Sequence, residues 1–105
     1  MPQRDEIADL LRMPEDGAGA PSLDRIDSTL TDGYAAKLEL EAERSRLERR
    51  LGEVAREAGE VSERSVATEL SALSVRLDAV DAELARLRSL LRNLQARRRL
   101  ARSAA

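Results

Sequence analysis

The chain lacks the side chains on which most enzyme sites depend. Its 105 residues include no Cys and no His, so neither a thiolate nor an imidazole is available for metal binding, redox chemistry or proton transfer. No P-loop, GxGxxG, GxSxG or SxxK motif occurs. We therefore expect a protein that is not an enzyme and has no cofactor.

Aromatic residues are almost absent as well. There is no Phe and no Trp, and Tyr34 is the single Tyr. A compact core usually contains aromatic side chains, whereas a row of Leu between helices does not need them. Charged residues make up 36% of the chain and hydrophobic residues 42%, and Leu and Ala supply most of the latter. This composition is typical of long helices and coiled coils.

Long apolar runs are missing too. No segment approaches the roughly 20 apolar residues that a membrane helix needs, so no membrane partner is expected. The start of the chain is acidic, and its apolar cluster is too short for a signal peptide. The expected location is the cytoplasm.

The first 21 residues predict a flexible N-terminal segment. Residues 3–12 can form a short amphipathic helix, which is one candidate for partner recognition. Residues 13–21 (MPEDGAGAP) are rich in Pro, Gly and Ala, which indicates a mobile linker. Ser22 comes next as a candidate N-cap for the following helix.

A heptad pattern dominates the rest of the chain. From residue 66 onward, apolar side chains recur in alternating steps of four and three for about four repeats, which predicts a coiled-coil helix. The preceding segment has the same pattern less regularly, with Gly33, Lys37 and Arg44 at apolar positions. TDGY, residues 31–34, indicates a bend or break in that helix. Lys37 and Arg44 favour register control, and the alternative is that TDGY, Lys37 and Arg44 form a ligand pocket between the helices.

The two patterned segments have nearly equal length about one turn. The predicted fold is therefore all-α, a long antiparallel two-helix coiled-coil hairpin over residues 22–101, with its turn near 59–64 and a disordered tail at 102–105. Gly59 is expected to end the first helix in the left-handed conformation, and Ser62 or Ser65 to cap the second.

A lone two-helix hairpin buries little surface. Dimerisation into a four-helix bundle, or docking on a protein partner, is therefore expected. The principal functional prediction is a non-enzymatic interaction module, a small cytoplasmic adaptor or regulator. The predicted interaction seam consists of Leu40, Leu47, Leu51, Val54, Leu70, Leu73, Leu77, Val80, Leu84, Leu87, Leu91 and Leu94.

Two short stretches support an alternative function. LTDGYAAKLELE and AREAGEVSERS resemble the N-terminal coiled-coil domain of the Gre transcript-cleavage factors, which has an LT..GY..L..EL pattern and a tip similar to AREKGDLSEN. The resemblance implies a transcription regulator whose hairpin enters the secondary channel of RNA polymerase, with Glu60 and Glu63 as the tip acids that help hold a metal there. The family tip usually opens with Asp, where this chain has Glu60. Masking of another polymerase subunit is a variant of the same idea.

Charge is distributed unevenly along the chain. Residues 1–43 carry 4 basic and 11 acidic groups, whereas residues 84–105 carry 7 basic groups and no acidic one. The Arg-rich end favours nucleic-acid binding as a second alternative, or it complements the helix C-terminus and the acidic opposing arm. The possible basic patch consists of Arg92, Arg97, Arg98, Arg99 and Arg102.

Overall fold

The protein is all-α. The computed structural model describes residues 2–59 and 62–104, in which three helices occur: α1 (Pro2–Arg12), α2 (Leu23–Glu57) and α3 (Glu63–Ala104). Within these residues there is no strand, so the predicted all-α class is confirmed, whereas the coiled-coil hairpin stays a prediction. No helix of the described chain is long and apolar enough to cross a membrane.

Two serines begin the long helices. The side-chain Oγ of Ser22 accepts a hydrogen bond from the backbone N–H of Arg25 at 3.1 Å, which caps α2. Ser62 caps α3 in the same way, through the backbone N–H of Ser65 at 3.3 Å. Ser22 was predicted as a cap, and Ser62 was one of two candidates with Ser65, because a serine three residues before a free N–H is a common partner at a helix start.

The predicted glycine cap at the end of α2 is wrong. Among the described residues the glycine with positive φ is Gly17, at 83°, and Gly59 has no such conformation. Gly59 follows the last helical residue, Glu57, by two positions, which is where a left-handed glycine is common, but it does not adopt that conformation. The predicted turn near 59–64 includes residues 60 and 61, which lie outside the described residues.

The predicted break at residues 31–34 is wrong, since α2 is continuous there, and a bend within the continuous helix stays a prediction. Gly33 is buried at a close approach of helices. A Cβ at this position would lie 2.7 Å from Cδ2 of Leu91 on α3 and 3.1 Å from Cδ1 of Ile7 on α1. Packing against neighbouring helices therefore explains this glycine, and helix propensity alone does not.

The chain divides into two compact units. Unit 1 comprises Met1–Leu38 and Ala85–Ala105, and thus contains α1, the first part of α2 and the last part of α3. Unit 2 comprises Glu39–Leu84, the remainder of the two long helices.

Unit 1 has a core of three helices. Ile7 and Leu10 of α1 are 0% and 1% exposed, although residues 1–21 were predicted to be a flexible segment. The structure describes the start of that segment as a packed helix, and its mobility stays a prediction. The two long helices complete the core with Ile26, Leu30, Ala36, Leu87, Leu91 and Leu94.

In its described residues, unit 2 consists of two helix segments, one from α2 and one from α3. The buried side chains are Leu40, Leu47, Val54, Val66, Leu73, Val80 and Leu84. They recur every seven residues on α2, and at intervals of seven, seven and four residues on α3, as expected for the apolar face of a heptad repeat.

Two arginines of α2 pair with acids of α3 in unit 2. Arg44 Nε lies 2.6 Å from Asp81 Oδ1, and Arg50 Nη2 lies 2.7 Å from Glu69 Oε1. The hydrogen bond to Asp81 raises the pKa of Arg44, and the hydrogen bond to Glu69 raises the pKa of Arg50. The later residue of α2, Arg50, pairs with the earlier residue of α3, Glu69, so the order of the two ion pairs is reversed between the helices.

The last helix extends beyond its predicted end. Residues 102–105 were expected to form a disordered tail, but α3 includes Arg102 and Ser103 and ends at Ala104. Arg and Ala favour the helix, and a cation in the last turn interacts well with the helix dipole, so the helix continues past the end of the heptad.

Candidate interaction surfaces

Most residues of the predicted interaction seam are buried in the cores of the two units. Nine of its twelve residues are buried, because α2 and α3 cover them within each unit. Leu87 and Leu94, for example, are both 0% exposed. These side chains stabilise the fold of the single chain, and their role in binding another molecule stays a prediction.

Three seam residues are only half-buried, and all three lie in unit 2. They are Leu51 on α2 and Leu70 and Leu77 on α3. In unit 1, α1 adds a third layer of apolar side chains, and the seam residues Leu91 and Leu94 are at most 2% exposed. The described part of unit 2 has no such third helix, so one side of its apolar row remains in contact with water. We call Leu51, Leu70 and Leu77 the open side of unit 2.

The acidic tip is described only in part. Glu63 is exposed in the first turn of α3, where a carboxylate interacts favourably with the helix dipole. Glu60 lies outside the described residues. No group of three or more acids in residues 2–59 and 62–104 is placed to hold a metal ion. The Gre-like role of Glu60 and Glu63 therefore stays a prediction.

Arg97 of the predicted basic patch is a structural residue. It is 8% exposed, and its guanidinium donates hydrogen bonds to the carbonyl oxygens of Leu11, at 3.3 Å, and of Met13 and Pro14. Since α1 ends at Arg12, the carbonyl of Leu11 lies in the last turn of the helix and those of Met13 and Pro14 lie just beyond it, where the helix supplies no backbone donor. Arg97 thus caps the C-terminus of α1 from α3.

Arg98 is engaged as well, in a hydrogen-bonded ion pair with Asp27 of α2. The predicted patch is therefore not a single exposed cluster. Arg97 and Arg98 hold unit 1 together, whereas Arg92, Arg99 and Arg102 remain exposed.

Two of these exposed arginines belong to a groove that the sequence did not predict as such. The groove lies within unit 1 between α2 and α3, and its volume is about 500 Å³. The Tyr34 hydroxyl accepts a hydrogen bond from Gln95 Nε2 at 2.9 Å, which joins the two helices there. The residues that line the groove are Tyr34, Lys37, Arg88, Leu91, Arg92, Gln95 and Arg99.

The sequence carries a partial signal for this groove. Arg88, Arg92 and Arg99 are spaced by four and seven residues, which places them on one face of a helix. From the sequence, Lys37 is a candidate for a ligand pocket together with TDGY, which contains Tyr34, and with Arg44. The structure instead places Lys37 with the arginines of α3, and Arg44 in its ion pair with Asp81.

Comparisons of this chain with protein-family models, curated proteins and solved structures give no match. The two surfaces, the open side of unit 2 and the groove of unit 1, are therefore interpreted from their geometry and chemistry.

Proposed function

We propose that this protein is a non-enzymatic interaction module, a small cytoplasmic adaptor or regulator that assembles through unit 2. In this proposal the two helix segments of unit 2 pair as an antiparallel coiled-coil hairpin. A second copy of the chain covers the open side, and the two hairpins together make a four-helix bundle.

The incomplete burial of the seam in unit 2 carries this proposal. One heptad pattern runs through both units, and a third helix covers it in unit 1 but not in the described part of unit 2. Fully burying a Leu side chain is worth about 1.5–3 kcal/mol relative to exposure, so each of these partly buried leucines retains at most about 1 kcal/mol of unused burial. Three such residues in each of two chains contribute at most about 6 kcal/mol, against an association cost of at least about 4 kcal/mol, so the expected association is weak and depends on concentration.

Sedimentation equilibrium over a range of protein concentrations tests the proposal. The wild-type chain is expected to pass from monomer to dimer as its concentration rises. The double variant Leu70→Gln with Leu77→Gln is expected to remain a monomer. The matched control is Val75→Gln on the same helix, which replaces an apolar residue that is 69% exposed and lies off the heptad row, and it should dimerise like the wild type.

Circular dichroism of each variant separates loss of assembly from loss of fold. Full helicity with monomeric behaviour in the double variant supports assembly through the open side. A wild-type chain that stays monomeric at every concentration would contradict the proposal. Equal dimerisation of wild type and double variant would contradict the assignment of the interface to Leu70 and Leu77.

A further inference from the structure

The groove of unit 1 combines positive charge with an apolar floor. Four of its seven lining residues are cationic, and none is acidic. Within the part of the chain that the structure describes, Arg92 and Arg99 are exposed and engage no hydrogen-bond or ion-pair partner. Their guanidinium groups can therefore bind external anions without first breaking contacts of the fold.

The apolar part of the groove is formed by Tyr34 and Leu91. Leu38 lies one helical turn after Tyr34, on the same face of α2, and is 66% exposed. The hydrogen bond from Gln95 holds the Tyr34 side chain in place, so the floor is organised before anything binds. An apolar side chain of a ligand could be buried here between the cations.

The spacing of the two unpartnered arginines sets the geometry of the ligand. Arg92 and Arg99 are two helical turns apart on α3, which corresponds to about 10 Å along the helix axis. Two carboxylates placed one heptad apart on a second helix have the same separation. An aliphatic side chain midway between them would face Tyr34 and Leu91.

We infer that this groove binds an acidic amphipathic helix of a partner protein, with an aliphatic anchor between two carboxylates. Charge complementarity supports this occupant, and Arg is well suited to pair with carboxylates. A nucleic acid fits less well, because the groove offers a single aromatic side chain for stacking and the whole chain has a net charge of −2. The inference does not depend on assembly through unit 2, since the groove lies entirely in unit 1.

Tyr34 provides a direct probe, because it is the only aromatic residue of the chain. The ligand is a synthetic capped helical peptide without aromatic residues, with two Glu one heptad apart and one Leu between them. Titration of this peptide should change the Tyr34 fluorescence saturably, and added salt should weaken binding. A peptide with Gln in place of both Glu, and one with Ala in place of Leu, should bind much more weakly.

Two double variants with the same change in charge identify the site. Arg92→Glu with Arg99→Glu should weaken binding of the peptide about tenfold or more, since both carboxylates then face like charges. Arg86→Glu with Arg102→Glu, two exposed arginines of α3 outside the groove, should leave the affinity unchanged. Circular dichroism confirms that both double variants remain folded.

The same assay can overturn the inference. Equal losses in the two double variants would mean that general charge attracts the peptide and that the groove is not its site. Tighter binding of a single-stranded oligonucleotide than of the acidic peptide would favour a nucleic-acid ligand. If inorganic phosphate binds the groove as tightly as the peptide does and displaces it, the groove is a simple anion site and the inference is wrong. Repeating the titration with the Leu70→Gln, Leu77→Gln variant keeps the result independent of dimerisation.

Discussion

Replacing Gly33 with Ala tests whether three helices meet at this residue. In the interior of a helix the change from Gly to Ala is favourable by about 1 kcal/mol. At Gly33 the new Cβ would lie 2.7 Å from Leu91 Cδ2 and 3.1 Å from Ile7 Cδ1, both closer than ordinary contact. Leu91 and Ile7 are 2% and 0% exposed, so they have little room to move, and overpacking of this kind costs about 1–3 kcal/mol. The expected net effect ranges from no change to a loss of about 2 kcal/mol.

Gly52 on the same helix is the matched control. A Cβ there would contact only Arg56 Nη1 at 3.6 Å, the flexible end of a long side chain. Gly52→Ala should therefore gain the full helix preference, about 1 kcal/mol. Urea unfolding followed by circular dichroism measures both variants, and the two free energies of unfolding should differ by about 1–3 kcal/mol. If Gly33→Ala stabilises as much as Gly52→Ala, the close approach of the helices at Gly33 is refuted.

A second substitution isolates the contact itself. Leu91→Ala removes the Cδ2 atom that the new methyl group would meet, at a cost of about 2–5 kcal/mol. In this background Gly33→Ala should be less harmful than in the wild type, or should become stabilising. A double-mutant cycle should then give a coupling free energy of about 1 kcal/mol or more. Strict additivity would mean that Leu91 does not restrict residue 33.

Two further predictions concern helix ends. Arg97→Met, which keeps the aliphatic stem but removes the donors, should destabilise unit 1 by about 1–3 kcal/mol and speed amide hydrogen exchange in α1, whereas Arg102→Met should not. Exchange that is equal in both variants would refute the capping role of Arg97. Ser62→Ala should cost about 1 kcal/mol in urea unfolding, because the N–H of Ser65 loses its acceptor. The exposed Ser71 supplies the control, and equal effects of Ser62→Ala and Ser71→Ala would speak against the cap.

The long helices and their buried rows could be predicted because they depend on local periodicity. A heptad determines which side chains share one face whatever the partner is, so the burial of residues such as Leu73 and Leu87 can be inferred from spacing alone. The caps at Ser22 and Ser62 are equally local, since the backbone N–H that donates a hydrogen bond to each serine lies three residues after it.

The glycine in α2 could not be interpreted in this way. From the sequence, Gly33 is a weak helix former at an apolar position, which indicates a bend. The reason for its presence lies in two side chains that are distant in the sequence, Ile7 and Leu91. Propensity describes a residue by itself, whereas the close approach of helices depends on tertiary packing.

The arginines of α3 illustrate the same limit for function. Arg97 and Arg99 are two positions apart in one basic run, and their charge patterns are indistinguishable in the sequence. One caps the end of α1 through a carbonyl oxygen 86 residues away, and the other is exposed at the groove. Which arginine is structural depends on where α1 packs, and no short-range pattern contains that information.

The packing of α1 also explains why the two units present different kinds of surface. Covering a heptad seam with a third helix removes its apolar side chains from water, so the surface that unit 1 leaves for a partner combines the cations of the groove with Tyr34 and the exposed Leu38. A seam covered by one neighbouring helix retains half-buried Leu residues, so unit 2 offers apolar surface instead. A polar, cationic groove favours selective recognition of an acidic partner, and an apolar strip favours self-assembly. One repeated sequence pattern would then support the two interactions that we propose, with the placement of α1 determining which unit supports which.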